Sequence, residues 1–117
     1  MSTVVIKSVD EAAVHRAMDT HAARLFATRP DVEEIVVFGS FATGTYAPGS
    51  DLDVFVVLSR SDATPRDRVP GLLPGAFPVG IDLFPYTRAE MAARAPSPLL
   101  DAVAASGWRY RCPEPAA

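Results

Sequence analysis

The sequence has a single cysteine, Cys112, in 117 residues. No disulfide can form within the chain, and this usage fits a reducing compartment. One thiol near the tail reads as a passive group. Long apolar runs are missing as well. The longest lies around Val54 to Leu58, far short of the ~20 residues a membrane helix needs. The opening MSTVVIKSVDE reaches acidic residues before any apolar segment of signal-peptide length develops. A cytoplasmic protein with no membrane contact is expected. Basic charge is not in surplus either: 11 Lys and Arg face 14 Asp and Glu, a net charge of −3. Tight non-specific hold on DNA or RNA comes from Lys and Arg neutralising phosphates. Nucleic acid is therefore not the expected partner; a small molecule or a protein is. No repeat and no composition break divides the chain, and its length fits one domain over residues 1–117. That is enough chain to bury a core unaided.

Apolar periodicity sets out the elements. Residues 8–28 read as an amphipathic helix with Ser8 and Glu11 at capping-box spacing. Val14, Met18, Ala22, Leu25 and Phe26 mark its buried stripe, and Arg29-Pro30 ends it. Ile35 to Phe38 is a short β-branched run that suits a buried strand. Gly39-Ser40 follows, then a small-residue stretch, the turn Ala47-Pro48-Gly49 and a second strand from Asp51 to Leu58. Residues 59–77 hold Pro65, Pro70, Pro74, Gly71 and Gly75. They read as a loop with one or two helical turns at most. Val79 to Phe84 is a third strand. Thr87 and Glu90 form a capping box that opens a helix over 88–95. Ser97-Pro98 opens another, ended by Gly107. Residues 108–111 form a last short strand or an extended tail. The order predicts an α/β (α+β) domain on a small mixed sheet flanked by helices. The short link between the first two strands predicts antiparallel pairing.

Asp51 and Asp53 stand two apart at the start of a strand, so both carboxylates point to one face. Like charges this close raise one another's proton affinity and are relieved by a cation. Magnesium suits them, because it takes oxygen ligands and binds through one or two carboxylates plus substrate phosphates. Taken alone, Asp-x-Asp equally suits a solvated strand end. Gly39 directly after a buried strand permits a tight turn and close approach of a ligand to the backbone. The Ser40 hydroxyl adds a donor. Asp82 sits inside the apolar run VGIDLF, where an ionisable group is costly without a partner; an edge-strand position facing water is the alternative.

Together these residues carry a resemblance. The stretch VVFGSFATGTYAPGSDLDVFVVL, with Gly39-Ser40 ahead of Asp51-Leu52-Asp53 and a later VGIDLF, resembles the signature of the minimal nucleotidyltransferases of the DNA polymerase β-like superfamily. It covers about residues 9–105. The resemblance implies that superfamily's fold and magnesium-dependent transfer of a nucleoside monophosphate, AMP from ATP, to a hydroxyl. It implies two magnesium ions, with manganese as a substitute, held by catalytic Asp51, Asp53 and Asp82. It also implies nucleotide contacts from Gly39, Ser40 and Ser50. Many relatives carry arginines where this chain has Phe41 and Thr43, so two cations that would face a triphosphate are absent. By analogy with short relatives, the chain resembles the antitoxin of a pair whose toxin is a HEPN-type protein, which would be its acceptor. A homo-oligomer is the other arrangement. A non-catalytic module that neutralises a partner and an antibiotic-modifying nucleotidyltransferase are the competing functions.

His15 and His21 lie about 240° apart around a helix and do not share a face, which argues against joint metal ligation. Arg66 and Arg68 fall in the proline-rich loop, where solvated side chains are expected. Arg109 and Arg111 share one face of an extended segment, leaving Trp108 and Tyr110 on the other. A terminal strand that packs Trp108 on the core is the expectation there.

Overall fold

The computed structural model describes residues 10–112. Ser8, half of the capping box expected at the first helix, lies outside them. Helix α1 spans Glu11–Thr28 and its N-cap is Asp10, whose carboxylate accepts the Ala13 N–H at 3.0 Å. Strand β1 (Val32–Phe38), a one-turn helix α2 (Ser40–Thr43) and strand β2 (Leu52–Leu58) follow. The proline-rich stretch holds α3 (Pro65–Arg68) and a 3₁₀ turn over Pro70–Leu72, as brief as its prolines suggested. Then come β3 (Ile81–Thr87), α4 (Arg88–Arg94), α5 (Pro98–Ala105) and β4 (Trp108–Arg111). Among the described residues, no helix is long and apolar enough to cross a membrane.

The four strands form one mixed sheet in the order β3-β2-β1-β4. β1 and β2 pair antiparallel, as their short link requires. β2 and β3 run parallel, because the long proline-rich crossover returns the chain to the same end of the sheet. Both faces of the central strands are covered, which explains their nearly continuous apolar sequences. On one face Leu52, Val54, Val56 and Leu58 pack with Val14, Met18, Ala22 and Leu25 of α1. On the other, Val36, Phe38, Phe55 and Val57 pack with Val103 of α5.

Two strands and one side chain depart from the sequence reading. β1 starts at Val32 rather than Ile35, through Glu33 and Glu34. Glu34 faces Arg109 and Arg111 of β4, whose guanidiniums donate to its carboxylate at 3.0 and 3.2 Å. Burial pushes the Glu34 carboxyl up, but the two guanidiniums outweigh it and hold it below its ordinary value. β3 runs on through Pro85 to Thr87 instead of stopping at Phe84. It is an edge strand, and an edge tolerates a residue with no N–H because one side has no ladder to supply. Finally, Arg68 is not solvated. It is buried, and its guanidinium donates to the Ala63 and Pro85 carbonyls and to both oxygens of Glu90.

Other readings hold. Thr87 and Glu90 form their capping box, and Ser97 caps α5 with Pro98 in its first turn. Residues 108–111 are a strand beside β1. Trp108 packs against the core, stacks on His15 with ring centroids 3.7 Å apart, and donates its indole N–H to Tyr110. His21 is buried in α1 while His15 is exposed, so the two histidines stand apart as their spacing required.

Candidate functional site

Strand β1 ends at Phe38, and the chain turns at Gly39 with φ of 77° and ψ of −152°. That is a region L side chains rarely enter, which is why glycine stands there. The turn starts α2 with Ser40 as its first residue. Phe41, at one of the two expected arginine positions, is buried and stacks on Tyr46 at 4.5 Å. It serves the core and offers no charge. Thr43, the other, is exposed and hydrogen-bonds with Thr45. The connection closes at the turn before β2, where the Ser50 hydroxyl accepts the Ala47 N–H at 2.9 Å. Ser50 thus shapes the approach to Asp51.

The register of the sheet sets the acidic residues side by side. Asp53 pairs with Phe38 of β1 on one side and with Asp82 of β3 on the other. Directly paired residues of neighbouring strands point to the same face, and Asp51 precedes Asp53 by two. Next along the same face lies an aromatic layer. Phe55 pairs with Phe84, and the Phe38 ring sits 5.3 Å from Phe84 while Phe55 sits 5.5 Å from Tyr86. The acidic group therefore caps one end of an apolar surface. Asp53 is half-buried, whereas Asp51 and Asp82 are exposed. Burial pushes the Asp53 carboxyl above its ordinary value, and the charges of Asp82 and Asp51 push it further in the same direction.

Two glycines make room for these carboxylates. A Cβ on Gly39 would collide with Asp53 Oδ2, and a Cβ on Gly80 would collide with Asp51 Oδ1. The Gly80 carbonyl also accepts the Leu52 N–H at 2.8 Å, fixing the backbone just ahead of β3 beside the Asp51–Asp53 segment. Gly80 therefore leaves space for the Asp51 carboxylate by the absence of a side chain, a role the sequence did not reveal. Its only signal was a glycine two residues before Asp82. Because the atom it would meet is the tip of a movable side chain, Gly80→Ala is expected to leave the melting temperature nearly unchanged and to displace the Asp51 carboxylate. Misplacement on the ångström scale costs up to about 100-fold in rate. An alanine variant with unchanged turnover would remove Gly80 from the site.

Among the described residues, no three His, Cys, Asp or Glu side chains are gathered tightly enough to enclose an ion by themselves. The donor set still suits a hard cation that shares its coordination with a ligand. All three groups are carboxylates, one is repelled by the other two, and magnesium is commonly completed by substrate phosphates and water.

The family model described as a nucleotidyltransferase domain matches residues 22–90, which include Gly39, Ser40, Asp51, Asp53 and Asp82. No curated protein matches the chain. A crystal structure from Sulfolobus solfataricus, of a protein assigned by its description as a candidate nucleotidyltransferase, is similar to the chain. Its TM-score is 0.58 at 16% identity, covering 93% of this chain and 90% of that one. At that identity the likeness speaks for the fold.

Proposed function

The chain is a member of the nucleotidyltransferase domain family, and on that premise we propose that it moves AMP from ATP to a hydroxyl on a partner protein, using magnesium held by Asp51, Asp53 and Asp82. The observation that carries this reading is the register that sets Asp53 against Asp82, with Asp51 two residues earlier and the Gly39-Ser40 turn beside them. Bound magnesium, as two ions or with manganese in its place, would neutralise charge on the attacking and leaving oxygens of an in-line displacement. The protein's own part is then positioning and electrostatics. In this reading the Gly39 backbone and the Ser40 hydroxyl orient the outer phosphates of the nucleotide, and Ser50, whose hydroxyl accepts the Ala47 N–H, holds the turn that leads into Asp51. In this reading Asp82 accepts the proton of the incoming hydroxyl as its oxygen bonds to the α-phosphorus and pyrophosphate departs. A HEPN-type protein is the acceptor we favour, by analogy with short relatives.

The exposure of Asp51 and Asp82 leaves the site open to a macromolecular acceptor. Incubation with labelled ATP, magnesium and candidate acceptor proteins tests the reading. Label should pass to an acceptor with the wild type and not with Asp51→Asn/Asp53→Asn. Label transfer by both proteins would reject the site. A second reading is a non-catalytic module that binds its partner by contact alone. Phe41 in the core and uncharged Thr43 favour it, since neither supplies a cation to a triphosphate. Tight complex formation without label transfer would select that reading.

A further inference from the structure

A groove of about 350 Å³ runs between α1 and the segment that leads into β3, and none of the acidic residues described above lines it. Arg16, Thr20 and Arg24 line one side. They follow at four-residue steps, so they share a flank of α1 over about 12 Å. Pro74 and Phe77 supply an apolar wall, and His21 lies between. The volume falls within the range of small-molecule sites, which pair an apolar lining with a few convergent polar groups.

The charge in this groove is unspent. Arg29, Arg68, Arg88, Arg109 and Arg111 each pair with a carboxylate, whereas Arg60, Arg66 and Arg94, which pair with none among the described residues, lie outside the groove. Among the described residues, Arg16 and Arg24 pair with none, and no Asp or Glu lines the groove. Two unpaired guanidiniums on one flank of an acidic protein are a matched pair of donors for an anion. His21 gives a separate view of the same field. Its side chain is buried and its Nε2 donates to the Leu72 carbonyl at 2.8 Å, because a carbonyl only accepts. Its Nδ1 has no partner. Burial pushes the His21 pKa down, and the Arg24 charge adds to that effect against the opposing Leu72 bond. The imidazole is thus a neutral part of the wall, and it senses the positive charge beside it.

We propose that this groove is a second binding site, for a small organic anion whose phosphate or carboxylate meets Arg16 and Arg24 and whose apolar body lies on Pro74 and Phe77. A short groove with one aromatic wall and a basic flank of about 12 Å suits a compact molecule better than an extended acidic peptide. This assignment stands apart from the proposed transfer reaction, so its test is run with that site silenced.

Asp51→Asn/Asp53→Asn protein, in chelator and without divalent metal, is titrated with phenyl phosphate and with AMP and followed by NMR. Saturable shifts are expected at residues 16–24 and 74–77. The His21 titration should move up as the bound anion offsets the Arg24 charge. Adding Arg16→Glu/Arg24→Glu, two exposed positions, should weaken binding at least tenfold with an unchanged melting temperature. Inorganic phosphate should bind more weakly than phenyl phosphate. The proposal is overturned if neither probe binds at millimolar concentration, if the charge reversal leaves affinity intact, or if inorganic phosphate binds equally well. An oligoglutamate peptide that saturates the groove where the two probes do not would overturn it in favour of a peptide surface.

Discussion

Replacing Asp53 with asparagine should silence nucleotidyl transfer and, in the same protein, raise the melting temperature measured without metal. The two effects share one cause. Asp53 is the half-buried member of the acidic group, paired in register with Asp82 and two residues from Asp51. Without a cation its charge is partly desolvated and repelled from both sides, so its ionisation opposes folding. Asparagine keeps the shape and removes the charge. The loss of function follows from the proposed metal role. Polarisation of a phosphoryl oxygen by a bound metal is worth several kcal/mol, and each 1.36 kcal/mol is tenfold in rate. A fall of about 1,000-fold in kcat/KM is therefore expected. Calorimetric melting in chelator and in magnesium separates the parts. Magnesium should raise the wild-type Tm by mass action and shift the variant less. A variant that turns over normally, or one that melts lower than wild type in chelator, would contradict the assignment of Asp53.

The second large effect lies away from the chemistry. Glu90→Ala should destabilise the protein by about 3 kcal/mol, because it strips the carboxylate from a buried guanidinium. The Arg68 side chain is only 4% exposed, while Glu90 retains 35%. Solvent therefore screens the pair from one side, and the cost belongs at the lower end for a broken buried pair. A loss of that size would lower Tm by about 10 °C in a domain of this length. Glu90 joins three elements at once: its oxygens accept from Arg68 of α3 and from the Thr87 N–H at the end of β3, and it sits in the first turn of α4. The Arg68 guanidinium first, and the Thr87 N–H second, hold its pKa at about 2. A carboxylate lowered in the folded state contributes stability above its ordinary value, and that contribution drains away as pH falls toward about 2. Wild-type denaturation midpoints should therefore drop over this acidic window, and the Glu90→Ala profile should be flatter. Arg68→Met/Glu90→Leu should recover much of the loss, since apolar replacement of both partners removes the unpaired charge. If the single variant melts within a degree or two of wild type, the pair does not brace this corner.

Much of the fold was legible because it is written locally. β1 and β2 announce themselves as β-branched runs, α4 as a threonine three residues before a glutamate, and α5 as Ser97-Pro98 with an apolar face. Gly39-Ser40 and Asp51-x-Asp53 could be placed at one end of the sheet from strand alternation and a short antiparallel link alone. What stayed hidden depends on partners distant in sequence. Arg68 looked like a loop cation because Glu90, 22 residues onward, is what buries it. The sequence marks the third strand only as far as Phe84, and only the strand order reveals β3 as an edge that tolerates Pro85. Phe41 occupies an expected arginine position, yet its core role depends on Tyr46 across the connection. The groove beside Arg16 and Arg24 exists only once the segment before β3 lies along α1.

The sequence by itself determined where the apolar centres of the first three strands lie, where the Gly39 corner falls, and that Asp51 and Asp53 share a face, the last because a strand's two-residue period leaves no alternative. Tertiary structure decided that Asp82 stands beside Asp53, that Gly80 leaves space for Asp51, and that Arg68 is buried. A parallel crossover sets the register of two strands through packing summed over the whole sheet, and no local pattern encodes that sum.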